Sequence, residues 1–325
     1  MRNRYFGWAV LFLIFFIPGF AYAQGGKATF KVGVLYFENI IRPEKVTPAQ
    51  AGLHTVDPQY DYLERALTDM LTTDLAAFPQ AQLLERARIE KLLEEIKFGE
   101  SGLVDEKTIP KRGLAVEGDF LIYGQLDKKK GKLIVKTKII DISKGKIHSL
   151  KEVSGAEEDV LMIAEGLKST VADFLGLEQG TGINAFKPER EGSLAVLPFY
   201  NNSKTDKLGH LRQGLPAIFI NKLIKLGRFT IVERARINSV MQELGLQQSG
   251  LIDEKTAVKI GKLLGAKYLL LGMFIENQGI IRIDIRVIET ETGRAPILAS
   301  ITSENEDKLF SAIEIFTTGD FLSLR

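Results

Sequence analysis

The stretch that decides the fold is IVERARINSVMQELGLQQSGLIDEKTAVKIGKLLGAKYLLLGMF, residues 231–274, because the chain contains nearly the same sequence twice. The earlier copy, residues 83–126, reads LLERARIEKLLEEIKFGESGLVDEKTIPKRGLAVEGDFLIYGQL and aligns with the later one without a gap. Both contain ERARI, SGL and DEKT at the same spacing. The unit is too long for a solenoid repeat, so it indicates two tandem domains of one kind.

The residues around each stretch predict the same succession of elements. An apolar strand, VGVLYF at 32–37 or LAVLPF at 194–199, comes before a helix whose apolar residues recur at i, i+3 and i+4. After the motif we expect three strands and a closing helix. The predicted strands are 119–126, 132–142 and 146–153 in the first copy, and about 267–276, 280–289 and 296–303 in the second. Each copy therefore reads β-α-β-α-α-β-β-β-α, which is an α/β sandwich with a mixed sheet.

The predicted domains are a first copy over 31–175 and a second over 193–325, joined by a glycine-containing linker over 176–192. We expect Pro216 to kink the helix over 208–226 and Pro110 to shorten or distort a helix of the first copy. In strand 280–289 the apolar residues face one way, and Arg282, Asp284 and Arg286 face the other.

The N-terminus, residues 1–23, has the three parts of a cleaved signal peptide. Arg2 and Arg4 precede an apolar run from Phe6 to Ile17, and Ala21-Tyr22-Ala23 fits the small-x-small cleavage rule. An uncleaved membrane anchor is the alternative, although the run is short for a spanning helix. We therefore expect a mature protein outside the cytoplasm.

Composition excludes several functional classes. The chain has 43 Lys+Arg and 41 Asp+Glu, and the two counts become equal once Arg2 and Arg4 are removed, which argues against nucleic acid as a partner. It has no cysteine, which excludes disulfides, thiolate nucleophiles and lipidation of an N-terminal cysteine. Its three histidines are far apart in sequence, so we expect no metal and no cofactor.

The repeated motif is the candidate site, and we interpret it as structural. Its first-copy residues are Glu85, Arg86, Arg88, Ser101, Gly102 and Asp105, and its second-copy residues are Glu233, Arg234, Arg236, Ser249, Gly250 and Asp253. The arginines would lie in the first turn of a helix and pair with carboxylates, the Ser-Gly pair would form a turn, and the aspartate would cap the next helix. An anion-binding or partner-binding site is the alternative. We expect no catalytic residue in the motif.

These motifs resemble the CsgG/HfaB family of bacterial envelope proteins. The resemblance rests on LAVLPFYN (194–201), GRFTIVER (227–234), SGLIDEKT (249–256) and GKLLGA (261–266), with VGVLYFEN, LLER, SGLVDEKT and IYG as first-copy counterparts. It implies two tandem CsgG-like α/β sandwich domains and an envelope role without catalysis. The name-giving member of that family is the curli secretion channel, an oligomeric lipoprotein pore in the outer membrane. Its lipidated cysteine is absent here, and each copy needs its three strands to complete its own sheet, so no strands remain for a pore.

The sequence thus predicts a non-enzymatic, exported envelope protein, periplasmic or associated with the outer membrane. It would assist assembly or transport of surface structures such as curli-like fibres, and its partners would be other envelope proteins, secreted fibre subunits, outer-membrane complexes or further copies of itself. The alternative is an oligomeric outer-membrane secretion channel. An envelope hydrolase is a third hypothesis, but the chain lacks the Gly-x-Ser-x-Gly elbow that would support it.

Overall fold

A computed structural model describes residues 29–43, 56–84, 89, 118–178, 192–227, 229–246, 252 and 254–318. The predicted signal peptide, most of the predicted linker and the helix containing Pro110 lie outside the described residues. What is described forms two mixed sheets with helices packed on them, which confirms the predicted α/β fold class.

The first half of the chain, residues 29–178, forms sheet one and its helices. The strands are β1 (Phe30–Asn39), β2 (Ala81–Leu83), β3 (Phe120–Lys129), β4 (Lys132–Asp141), β5 (Lys146–Ser149) and β6 (Val153–Ala156). The helices bounded within the described residues are α1 (Asp61–Ala76), preceded by a 3-10 turn (Pro58–Tyr60), and α2 (Val160–Leu175).

The second half, residues 192–318, forms sheet two. Its strands are β7 (Gly192–Val196), β8 (Tyr200–Asn201), β9 (Phe229–Ile231), β10 (Tyr268–Asn277), β11 (Ile280–Glu289) and β12 (Ile297–Ser303). Its helices are α3 (Leu211–Leu226), α4 (Arg234–Glu243), α5 (Glu254–Leu264) and α6 (Leu309–Thr318).

The two sheets share one topology. Sheet one has the order β2-β1-β3-β4-β5, and sheet two has the equivalent order β9-β7-β10-β11-β12. In each, the first three strands of the order are parallel and the later neighbours are antiparallel. The inner parallel strands β1 and β7 are largely buried, which explains why VGVLYF and LAVLPF are nearly continuous apolar runs.

A glycine and a phenylalanine meet in the same way in both halves. A side chain at Gly124 would lie 2.5 Å from the ring of Phe37, and one at Gly272 would lie 2.3 Å from the ring of Phe199. In both sheets the ring therefore fills the space that a Cβ atom would occupy. The glycines of IYG and LLGM are thus packing residues, and they show that the two interiors are built alike.

The proline in α3 is accommodated by a contact with the preceding strand segment. Pro216 has no N–H to donate to the carbonyl of Arg212 four residues earlier. The backbone N–H of Phe199 donates to that carbonyl instead, at 3.0 Å. The predicted helix continues through the proline, from Leu211 to Leu226, because its freed acceptor has this partner.

The third strand of the first copy differs from the prediction. We expected one strand over 146–153, but β5 and β6 are separate and pair with opposite ends of β4. The interruption contains Lys151 and Glu152, both exposed, and the N–H of Leu150 still donates to the carbonyl of Thr137. Its counterpart in the second half, β12, is a continuous strand of seven residues.

The layers are stacked so that α1 lies between the two sheets. One face of α1 joins α2 and sheet one in a core that includes Leu67, Leu71 and Phe37. Its other face packs on β11 and β12 of sheet two. Helices α3 and α6 cover the opposite face of sheet two, and α4 and α5 share the α1 side of that sheet.

Candidate functional site

In the second half, the first part of the repeated motif joins β9 to α4. Glu233 has extended backbone angles and is the N-cap residue, but its side chain makes no capping hydrogen bond. Its carbonyl accepts from the N–H groups of Arg236 and Ile237, at 3.1 and 3.2 Å. The arginines therefore lie in the first turn of a helix, as predicted, and Ile237 packs in the core below them.

The predicted pairing of these arginines with carboxylates is not observed among the described residues. Arg234 is half-buried and Arg236 is exposed, and neither forms an ion pair there. Of the other residues predicted for the site, Ser249, Gly250 and Asp253 lie outside the described part of the chain. So do all six first-copy residues, Glu85, Arg86, Arg88, Ser101, Gly102 and Asp105.

The charged cluster that the structure does bring together lies elsewhere, where α1 packs on sheet two. The guanidinium group of Arg282 on β11 donates two hydrogen bonds to the carboxylate of Asp74 on α1, at 2.8 and 3.2 Å. It also donates to both carboxylate oxygens of Asp284, at 2.8 to 3.1 Å, and to the carbonyl of Met70 at 3.3 Å. One buried cation thus holds a carboxylate from each half.

Burial controls the titration of this cluster. Asp284 is 2% exposed, and burial raises its pKa above the ordinary value although Arg282 acts in the opposite direction. For Arg282 burial lowers the pKa, but the carboxylates of Asp284 and Asp74 outweigh it, so the pKa lies above the ordinary value. The guanidinium group is therefore charged throughout the accessible pH range.

A second charged contact follows along the same strand. Arg286 forms an ion pair with Asp69 of α1, and Arg65 donates to the same aspartate at 3.3 Å. The guanidinium carbon of Arg65 lies 4.9 Å from the centre of the Tyr200 ring, so α1 also contacts β8. These residues line an open cleft that is also bordered by Pro198 and Met273.

A third contact joins the halves near the end of β10. The carboxylate of Glu157 accepts from Lys204 at 2.5 Å, and from Lys128 and Tyr60 of its own half at 3.1 and 2.9 Å. The hydrogen bond from Lys204 is the largest cause that lowers the pKa of Glu157, to about 2. Gln278 adds hydrogen bonds to Glu158 and Asp159 of the first half, at 3.1 and 2.8 Å.

The packing of α1 on sheet two was not predicted from the sequence. The alternation in β11 placed Arg282, Asp284 and Arg286 on one face, but no pattern indicated what would cover that face. A signal was present in α1, whose second face has one arginine, Arg65, no lysine and several short polar residues: Thr68, Asp69, Thr72, Thr73 and Asp74. Solvent-exposed helix faces more often carry long charged side chains.

Among the described residues, no group of three histidine, aspartate or glutamate side chains could hold a metal ion. His210 contacts Glu306 at 2.6 Å, and both side chains are about half exposed. His148 packs against the ring of Phe174. None of the helices in the described ranges is long and apolar enough to cross a membrane.

Comparison with known proteins gives one family match and several solved structures. The LpoB C-terminal domain from Salmonella enterica is 21% identical, with a TM-score of 0.30, covering 41% of this chain and 91% of that one. Lipoprotein GNA1162 from Neisseria meningitidis is 13% identical, with a TM-score of 0.29, covering 40% and 96%. The PelC dodecamer from Paraburkholderia phytofirmans is 16% identical, with a TM-score of 0.25, covering 37% and 75%.

No curated protein sequence matches the chain. The family model for the curli production assembly/transport component CsgG matches residues 180–278, a range that runs from before β7 to the end of β10. The match includes LAVLPFYN, GRFTIVER, SGLIDEKT and GKLLGA, the second-copy motifs on which the resemblance rests. It does not extend to the first half, whose status as a second CsgG-like domain stays a prediction. Residues 180–278 are therefore similar to the CsgG family, as the resemblance implied.

Proposed function

We propose that this chain is an exported, non-enzymatic envelope protein that assists assembly or transport of surface structures by binding other envelope proteins. The observation that carries the proposal is the CsgG match over residues 180–278, because the family is described as an assembly and transport component. The signal-peptide features of residues 1–23 support export. The partners would be secreted fibre subunits or outer-membrane complexes.

The charged cluster between the halves, formed by Arg282, Asp74 and Asp284, supports a structural role for these residues. Each carboxylate of the Arg282 cluster is engaged by a guanidinium group, and the cluster is buried. A general acid or base needs a free position for a substrate within hydrogen-bond reach. Arg282, Asp74 and Asp284 direct their polar atoms at one another, which favours a role in holding two domains together over a role in chemistry.

The outer helix layer of the second half supports protein binding. Phe310 and Ile315 on α6 are 51% and 72% exposed, and Ile224 on α3 is 56% exposed. The ammonium group of Lys222 lies 4.5 Å from the Phe310 ring and pairs with Glu314 at 2.5 Å, so charged groups border the apolar ones. Exposed apolar side chains with a polar rim are typical of protein interaction surfaces.

The proposal is tested by fractionation followed by cross-linking and affinity purification from the envelope. We expect the tagged chain in the periplasmic or outer-membrane fraction, shortened by residues 1–23, with envelope proteins cross-linked to it. The double variant Phe310→Glu/Ile315→Glu should lose those partners. The matched control, Met162→Glu, changes an exposed residue of α2 in the first half and should retain them.

Two results would contradict the proposal. One is an unprocessed chain in the cytoplasm. The other is a turnover activity retained by the purified chain after its envelope partners are removed.

The second candidate, a secretion channel, rests on the transport function in the family's description. Single-channel conductance of the purified chain in lipid bilayers would favour the channel over the binding protein.

A further inference from the structure

The four sheet edges of the described chain differ in how much backbone they leave open. Sheet one ends at β2, which has three residues, and at β5 and β6, which have four residues each and are interrupted. Sheet two ends at β9, with three residues, and at β12, with seven. Three of the edges are therefore short, and β12 is the long one.

An open edge strand presents a row of backbone N–H and C=O groups that can pair with another strand. Proteins usually block such edges with charges, prolines or interruptions. Sheet one follows this rule, since Lys146 begins β5 and the exposed Lys151 and Glu152 separate β5 from β6. The sequence of β12, ILASITS, has no charge, no proline and no glycine.

The outer edge of β12 has no backbone partner within the described ranges. Its inner neighbour is β11, and among the described residues no strand or loop forms a backbone hydrogen bond with the other edge. Ile297, Ala299 and Ile301 are buried against the α3 and α6 side of sheet two. Ser300 and Thr302 point to the opposite face and are exposed, although α1 packs nearby.

We propose that β12 is a homodimer interface, in which the β12 strands of two copies pair antiparallel about Ser300. Within the described part of a second copy, β12 itself is the edge that offers seven continuous residues. Centring the pair on Ser300 sets Ala299 opposite Ile301, so residues that face the core in one copy stay on that face in both. Sheet two of one copy and sheet two of the other then form one continuous sheet across the dimer.

The composition of the strand fits this register. All seven residues from Ile297 to Ser303 are uncharged, so an antiparallel pair about Ser300 brings no like charges opposite each other. The same edge of each copy then serves both sides of a symmetric pair.

The first experiment measures the oligomeric state of the purified full chain by sedimentation equilibrium over a range of concentrations. We expect a monomer–dimer equilibrium for the native sequence. Ser300→Lys places like charges directly opposite each other and should weaken dimerisation by about tenfold or more. Ser300→Glu should do the same, and a mixture of the two variants should recover the dimer. Ser154→Lys, at an exposed position of β6, should leave the equilibrium unchanged.

The second experiment uses the absence of cysteine in the chain. Directly opposite residues in an antiparallel pair have Cβ atoms about 4.5–5.5 Å apart, close to the distance that a disulfide spans. Ser300→Cys should therefore cross-link two chains on mild oxidation, whereas Ser154→Cys should not. A native chain that stays monomeric at every concentration would overturn the proposal, as would equal cross-linking of the two variants or no recovery in the mixture.

Discussion

Helices α1 and α3 occupy equivalent places in the two halves, yet they have different surroundings. α1 is covered on one side by sheet one and on the other by sheet two, so that Asp69, Thr73 and Asp74 are buried. Of the described elements, none covers the side of α3 that faces away from sheet two, where Gln213, Ala217 and Asn221 are exposed. The two halves have similar interiors, but of these two helices only α1 lies between the two sheets.

The residues through which α1 contacts sheet two differ between the two copies of the repeat. At the spacing of the repeated motif, Asp69 and Asp74 of α1 correspond to Ala217 and Lys222 of α3, and Arg282 of β11 corresponds to Ile134 of β4. The side chain of Lys222 pairs with Glu314 of its own half instead. The comparison teaches that the interior is set by the shared pattern, whereas the orientation of the halves depends on a few unshared charges.

The largest effect is expected from removing the central cation. Arg282→Ala should lower the free energy of unfolding by about 3–5 kcal/mol, because it leaves the carboxylates of Asp74 and Asp284 buried without a counter-charge. The measurement is urea denaturation followed by circular dichroism. Tryptophan fluorescence is unsuitable because the one tryptophan, Trp8, lies within the predicted signal peptide.

Lys136→Ala is the matched control for this prediction. Lys136 occupies the β4 position equivalent to Asp284, and it pairs with Asp127 at 2.9 Å with both side chains partly exposed. Exposed pairs contribute less than about 1 kcal/mol. Equal losses in the two variants would show that the Arg282 cluster does not stabilise the contact between the halves. Replacing Arg282, Asp74 and Asp284 together by apolar residues should recover most of the loss.

Much of the fold could be predicted from the sequence because it depends on local patterns. The spacing of apolar residues gave both sheets and most helices, and the boundaries of β11 agree with the predicted 280–289. The interruption in the first copy was missed because Lys151 and Glu152 do not by themselves distinguish an exposed strand from a break. The break is determined by tertiary structure, because β5 and β6 pair with opposite ends of β4.

The candidate site was less predictable because it joins residues more than 200 positions apart in sequence. Asp74 and Arg282 belong to different copies, and each has a charge-changing or apolar counterpart in the other copy. A comparison of the two copies identifies the shared ERAR and DEKT and gives no weight to Asp74 and Arg282, which differ. Differences between repeats indicate where copies contact each other, since equivalent residues there have unequal surroundings.

A smaller effect is expected from acid, through the contact that Glu157 makes across the halves. Its folded-state pKa of about 2 lies below the ordinary 4.5, so its contribution to stability is complete above about pH 5 and is lost as the pH falls towards 2. Allowing for the exposure of Lys204, we expect a loss of about 1–2 kcal/mol over that range. Denaturation at a series of pH values measures it.

Glu157→Gln is the variant that isolates this contribution. It keeps the shape and a hydrogen-bond acceptor but has no carboxylate to titrate. Between pH 5 and pH 2, its stability should therefore fall by less than that of the native chain, and at pH 7 it should already be less stable. A pH dependence identical to that of the native chain would mean that Lys204 and Glu157 do not interact in solution.

The smallest effect on stability is expected in the shared motif itself. Arg236 is exposed, and its side chain has no ion pair among the described residues, so Arg236→Ala should change the free energy of unfolding by no more than about 0.5 kcal/mol. The neighbouring Ile237 is 1% exposed, and Ile237→Ala should cost about 2–5 kcal/mol in the same assay.

The contrast between Arg236 and Ile237 separates the two interpretations of ERAR. Under the structural interpretation, the arginine shared by both copies contributes to folding, and its removal would cost clearly more than 0.5 kcal/mol. A stable Arg236→Ala variant that loses its envelope partners in affinity purification would instead assign the arginine to partner binding. The geometry favours a small stability effect, because the carbonyl of Glu233 and the buried Ile237 already hold the helix start without the guanidinium group.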